Sequence, residues 1–297
     1  MLEKYLGNIP IKDLYKDLFK PGMKKAGEAL ETVLDGANLI LLPLKLINSK
    51  SKIYFEKNLE KYSDKLNKNT ELTPTQVPQY VGLPIIDKLT YLDQNELAET
   101  FINLLTKASF DETLKLVHPS YISILNNLSA DEAKILFHFK NSKRIPFIDF
   151  YIHRYVEKFE KPNFHDNKGT KTKEQLKQMI DYSTQNKEDV YLKAAWNLTG
   201  IENSVSLIFP ENIDIYIENL EQNGLISYER ETLNKYDLEV YDKLENVDYK
   251  NQKGKIEKEI SDYKGDEFKL ELNTRKAYIE FTTLGKGFID ACIKEIE

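Results

Sequence analysis

Apolar residues recur at helical spacing along much of this chain, and the longest uncharged stretch comes early. Leu30, Val33, Leu34, Ala37, Leu41 and Leu44 mark one helical face, which Leu39, Ile40, Leu42, Leu46 and Ile47 widen. Pro43 predicts a kink or an end. The uncharged run from 36 to 44 falls well short of the roughly 18 to 20 residues that a spanning helix needs, so no transmembrane span is expected. Two uses fit the pattern: a buried or subunit-facing helix, or an element lying on a membrane. In either use Leu34, Leu41, Leu42 and Leu44 form the contact face. Lys20, Lys24, Lys25, Lys45, Lys50 and Lys52 bracket it and suit anionic headgroups or plain solubility.

A polar helical stretch follows over 55–68, then "NTELTPTQVPQYVGLP", whose prolines disfavour helix and mark an internal boundary. Between 85 and 117 the apolar spacing predicts two helices, and "VHPSYISILNNLSADEAKILFHFK" predicts two more. Pro119 suits a first helical turn, and Ser129 with Glu132 forms a capping box. "RIPFIDFYIHRYV" reads as a short strand or a helix start. A polar loop then leads to helices expected near 176–182 and 190–197.

The C-terminal part has the chain order of a winged helix. Residues 129–140 are a candidate first helix, 211–222 stand at the recognition position, and Asn223 with Gly224 supply a left-handed stop. "LISYE" and "AYIEFTTLG" read as wing strands. The expected fold class is mainly α, with a helical N-terminal and central region and a winged-helix-like C-terminal module carrying a short β-hairpin. Three regions are expected: 1–72, 73–128, and 129–297 with insertions at about 152–200 and 230–275. The second insertion, charged and tyrosine-rich, is expected to be a solvated helical protrusion.

Charge changes this picture. Glu211, Asp214, Glu218 and Glu221 give the recognition-position helix four carboxylates and no cation. Phosphates would repel it from a major groove, so it is expected to face protein. The net charge of −6 is unevenly spread: 134–177 hold 11 Lys/Arg against 5 Asp/Glu, whereas 200–297 hold 13 against 22. In the basic middle, Lys140, Lys143, Arg144, Arg154, Lys158 and Lys161 interleave with Phe147, Phe150, Tyr151, Tyr155 and Phe159. Such a mixture can track a single strand or anionic ligand, and equally can be a solvated face over an aromatic core.

The content of 41% hydrophobic and 30% charged residues is that of a globular chain in which helix should dominate. Cys292 is the single cysteine, so no disulfide framework is expected, and the N-terminal residues lack a secretory pattern. The expected location is the cytoplasm, with association at the inner face of the membrane under the second use of the apolar helix. No nucleophile motif, Walker loop or zinc signature occurs. His153 and His165 with Asp149 and Asp166 match no metal template, so neither metal nor cofactor is expected. Binding rather than catalysis is expected.

The segment from Leu72 to Leu136 resembles the abortive infection alpha family of bacterial proteins. "IIDKLTYL", "ELAETFINLLTKA" and above all "VHPSYISILNNLSADEAKIL" carry the resemblance, which extends loosely to the upstream apolar helix and to "TTLGKGFIDAC". It implies a role in phage defence, in which an infected cell halts or dies before the virus matures, and it supplies no catalytic residues. The expectation is a non-enzymatic antiviral effector that senses a ligand or partner, assembles as a homo-oligomer and acts at a membrane. A partner defence protein, an oligonucleotide and an anionic membrane surface are the partners it admits. The alternative is a nucleic-acid sensor using the basic middle.

Overall fold

The computed structural model describes residues 49–93, 95–155, 190–230, 237–265 and 268–296, with a few positions between 173 and 180. The apolar segment with Leu34, Leu41, Leu42 and Leu44 lies outside these residues, as do Lys158 and Lys161. Two compact units share the chain. The first takes 1–143, 205–227 and 281–297; the second takes 144–204 and 228–280.

In the first unit, helices α1 (Ser49–Lys68), α2 (Gln79–Leu89), α3 (Glu96–Ala108), α4 (Asp111–Leu114), α5 (Pro119–Asn127) and α6 (Ala130–Phe139) run in succession. The proline-rich stretch 69–84 lies inside this unit, and Pro84 falls within α2. Helix α3 is the core: Ala98, Phe101, Ile102, Leu104, Leu105 and Ala108 are all fully buried, and the polar Thr100, Asn103 and Thr106 are buried with them. Phe55, Leu59 and Tyr62 of α1 are buried too, and the Tyr62 hydroxyl meets Ser109 Oγ at 2.7 Å. The local signals hold where the backbone alone decides them. Pro119 opens α5, and Ser129 and Glu132 cap α6 reciprocally.

A 3-10 turn (Pro210–Asn212) leads into the next described α-helix of this unit, Ile213–Gln222, which buries Tyr216, Ile217 and Leu220. Glu211, Asp214, Glu218 and Glu221 are exposed. Gly224 at φ 71° ends the helix, with Leu225 N–H donating to the Leu220 carbonyl at 3.0 Å and Gly224 N–H to Glu221 at 2.8 Å. These two bonds make a Schellman stop. The chain entering this helix is held by Asp131, only 2% exposed, which accepts from the Ile208 amide at 2.8 Å, the Phe209 amide at 2.9 Å and the Tyr216 hydroxyl at 3.0 Å. Burial would raise its carboxyl, but those donors and Lys134 outweigh it and hold the carboxyl below its ordinary value.

The second unit is built on a four-stranded sheet in the order β2-β1-β4-β3. Strands β1 (Arg144–Tyr155) and β4 (Lys269–Phe281) pair antiparallel from Arg144↔Glu280 to Tyr155↔Lys269, and β2 (Val190–Leu198) pairs antiparallel on the other edge of β1. Short β3 (Ile226–Glu229) lies beside β4. The chain from 238 to 262 forms an α-turn, a π-turn and a longer helix. Tyr241, Leu244 and Ile256 of this segment pack on Ile148, Phe150 and Ala195 of the sheet, and the Tyr241 hydroxyl donates to the Ala277 carbonyl at 2.9 Å.

This sheet overturns the expected fold class. The chain is helix-rich, but its strands lie in the middle and the C-terminal region in one four-stranded antiparallel sheet, which is not the short hairpin of a winged-helix module. Residues 190–197, read as helix, are strand β2. Of the 230–275 segment, the described residues 238–262 are helical and place Tyr241, Leu244 and Ile256 on the core, and β4 takes its last residues. One physical cause accounts for the ambiguity of β1. Ile145, Phe147, Ile148, Asp149 and Phe150 are all buried, so β1 shows no alternation of apolar and polar positions. A short apolar run of that kind cannot be told from a buried helix by periodicity.

Two stability outcomes are expected. A Cβ at Gly285 would overlap the Leu225 carbonyl oxygen, so Gly285→Ala should cost about 1 to 3 kcal/mol in urea unfolding. Asp131→Asn should cost about 2 kcal/mol near neutral pH, because its amide brings a donor against donors. Since the folded carboxyl sits below its ordinary 3.8, its contribution is present above that value and is lost as pH falls through the folded one. The gap between wild type and variant should therefore close in acid.

Candidate functional site

Side chains of β1 alternate in direction: Ile148, Phe150 and Ile152 pack toward the helical segment, so Phe147, Asp149, Tyr151 and His153 take the opposite face. Register sets their neighbours. Asp149 lies opposite Arg275, Tyr151 opposite Asn273 and Lys193, and His153 opposite Glu271 and Tyr191. The β1–β2 register slips twice, between Ile148 and Tyr151, and Asn197 takes a left-handed φ of 57°. Asn tolerates that conformation better than most residues. The slips bring Trp196 to the same face as Lys193.

Asp149 anchors this face. Fully buried, it accepts from the Asn197 amide at 2.8 Å on Oδ1. Its Oδ2 accepts from Arg230 Nη1 at 2.5 Å and from Arg275 Nη2 and Nε at 2.9 and 3.1 Å. Arg230 Nη2 also donates to Asn197 Oδ1 at 2.6 Å, which locks the left-handed turn. One carboxylate thus holds two guanidiniums that are 24% and 34% exposed. Both stack on Trp196, Arg275 at 4.5 Å and Arg230 at 4.7 Å from the ring centroid, and Lys193 Nζ lies 5.1 Å from it. Arg230 further stacks on Phe147 and Tyr228. With Lys193 included, three cations and the Asp149 carboxylate gather around one indole among the described residues.

In front of this cluster is a concavity of about 360 Å³ lined by Tyr151, Tyr191, Lys193, Trp196 and Arg275. Tyr191, 62% exposed, stacks on His153 at 4.6 Å and 12°, and meets Tyr151 edge-on at 5.4 Å. Exposed Glu271 marks the acidic end of the face beside His153. Flat rings next to fixed cations suit a planar anionic ligand.

Of the sequence-derived basic residues, Lys140, Lys143, Arg144 and Arg154 are among the described residues. Lys140 and Lys143 belong to the first unit, and Lys140 lies over Phe137. Arg144 and Arg154 sit at opposite ends of β1, stacked on Tyr278 and Phe268. Ten residues of strand separate them by about 33 Å. The face instead draws on Asp149, Lys193, Trp196, Arg230 and Arg275, of which sequence reasoning named only Asp149, as a metal-ligand candidate. Its Oδ2 is taken by two arginines, and His165 and Asp166 lie outside the described residues. Alternation of Tyr191 and Lys193 along β2 is the sequence signal for this face.

A second concavity, of about 250 Å³, lies in the first unit. Its Lys107 amine is lowered to about 8 by burial and donates to the Lys294 carbonyl, while Lys65 pairs with Glu99 and Glu295. These cations fasten the chain's last turn. Cys292 is buried, and burial pushes its thiol up, which favours the protonated form. Among the described residues no helix is long and apolar enough to cross a membrane, and no group of three His, Cys, Asp or Glu could hold a metal.

Comparison with known proteins bears on the chain as a whole. The family model described as abortive infection alpha matches residues 54–292. A search of curated proteins gave no match. A solved structure of an uncharacterized protein from the hydrocarbon-degrading marine bacterium Alcanivorax borkumensis SK2 aligns with 58% of this chain and 91% of its own. Identity is 13% and the TM-score 0.27, too low to support any statement about fold.

Removing the anchor should be costly. Asp149→Asn should destabilise the protein by about 3 kcal/mol, the lower end for orphaning a buried ion pair, because the arginines left behind are partly solvated. Chemical unfolding followed by tryptophan fluorescence reads this at the site itself, since Trp196 is the chain's single tryptophan.

Proposed function

The chain belongs to the abortive infection alpha family, and from that premise we propose that it is a phage-defence protein acting by binding rather than by catalysis. Family membership implies abortive-infection defence. The proposal adds that the aromatic and cationic face of the second unit receives an anionic ligand. One observation carries it: Trp196 is flanked by Arg230, Arg275 and Lys193, and among the described residues the carboxylate paired with the two arginines is Asp149. That arrangement costs energy to hold and leaves net positive charge at an open concavity. The reading keeps the apolar segment around Leu41 and Leu44 as the output, through homo-oligomer assembly or action at an anionic membrane surface.

Plating of phage on cells carrying the protein tests both parts. Lys193→Glu, on an exposed position, should abolish protection without loss of fold, and so should the Leu41→Asp, Leu44→Asp pair. Full protection by folded, normally abundant Lys193→Glu would show that the sheet face is not the sensing site. Full protection by the double variant would remove the apolar segment from the effector role.

A further inference from the structure

We propose that the ligand of this sheet face is a single-stranded nucleic acid, its bases stacked on Tyr191, Tyr151 and Trp196 and its phosphates set beside Lys193 and Arg275. This rests on the anionic-ligand reading above and makes it specific.

Length is the first argument. The aromatic face runs along β1 from His153, beside Tyr191, to Asp149, below the Trp196 cluster. Four residues of strand give about 13 Å, more than one nucleoside covers, so the face suits a run of nucleotides. Chemistry is the second. Every base of an unpaired strand offers a π-face, and the lining of the concavity is three aromatic rings with two cations. Arg275 lies over the Trp196 indole, so its guanidinium presents a further flat cationic surface.

Charge count separates single strand from duplex. Among the described residues of this face, Asp149 neutralises much of Arg230 and Arg275, leaving Lys193 and part of one guanidinium for phosphates. So few free cations hold a duplex weakly, because its bases are stacked away and its affinity comes from phosphates. Stacking supplies what charge lacks only when the bases are unpaired. Glu271 places negative charge at the His153 end of the face, so phosphates follow the Trp196 end, where Lys193 and Arg275 lie.

The test uses the full chain with a short single-stranded oligodeoxyadenylate, the matching duplex, and inorganic tripolyphosphate. Binding is read by quenching of Trp196, which reports this face and no other because it is the single tryptophan. Single strand should quench at low salt and bind tighter than duplex. Tyr191→Ala, a change at a side chain 62% exposed, should weaken it about 5- to 100-fold. Lys193→Gln should reduce the slope of log affinity against log salt by about 0.7. Equal binding of duplex, or unchanged affinity in folded Tyr191→Ala, overturns the inference. If tripolyphosphate binds in a Lys193-dependent way and single strand does not, the inference falls and the broader anionic-ligand reading stands. If neither binds, both fall.

Discussion

A single buried carboxylate holds the second unit together. Asp149 stands on central strand β1 and reaches three other parts of the unit at once: the Asn197 amide near the end of β2, Arg275 on β4, and Arg230 just beyond β3. A fully buried charge costs several kcal/mol unless it is paired and hydrogen-bonded. Here both oxygens are occupied, so that cost is met only when all these elements are in register. The same constraint creates the candidate site, because satisfying Asp149 places two guanidiniums against Trp196.

Chain topology makes that dependence stronger. Asp149 and Asn197 come from one piece of the second unit, Arg230 and Arg275 from the other, and residues 205–227 of the first unit run between them. Neither piece has the carboxylate and both arginines. Asp131 plays the corresponding part in the first unit, where one carboxylate gathers the amides of Ile208 and Phe209 and so fixes the entry to helix Ile213–Gln222. That helix carries three exposed carboxylates, with Glu211 in the turn before it, and buries its Tyr216, Ile217 and Leu220 edge. Its acidity is therefore compatible with packing within the unit.

The basic residues on β1 are occupied by packing. Arg144 and Arg154 each cover an aromatic ring at one end of β1. Guanidiniums are weakly hydrated and lie readily on rings, so an arginine interleaved with aromatics in sequence is as apt to close a sheet end as to greet a phosphate. Lys193, an isolated lysine in the sequence, has more to do with the concavity than the run of cations before it.

The sequence by itself determined what depends on neighbours a few residues away. It showed the Ser129–Glu132 capping box, Pro119 opening its helix, the Gly224 stop, the apolar positions of the 96–108 helix and the family. Those features rest on backbone donors, φ preferences and 3.6-residue spacing, all of which are local. Only the tertiary structure decided that 190–198 is a strand, that 238–262 covers a sheet, and that Asp149, Trp196, Arg230 and Arg275 meet. The reason is physical. A strand's hydrogen bonds lie on other strands, here up to 136 residues away between Arg144 and Glu280, and a buried ion cluster is specified by which residues share a sheet face.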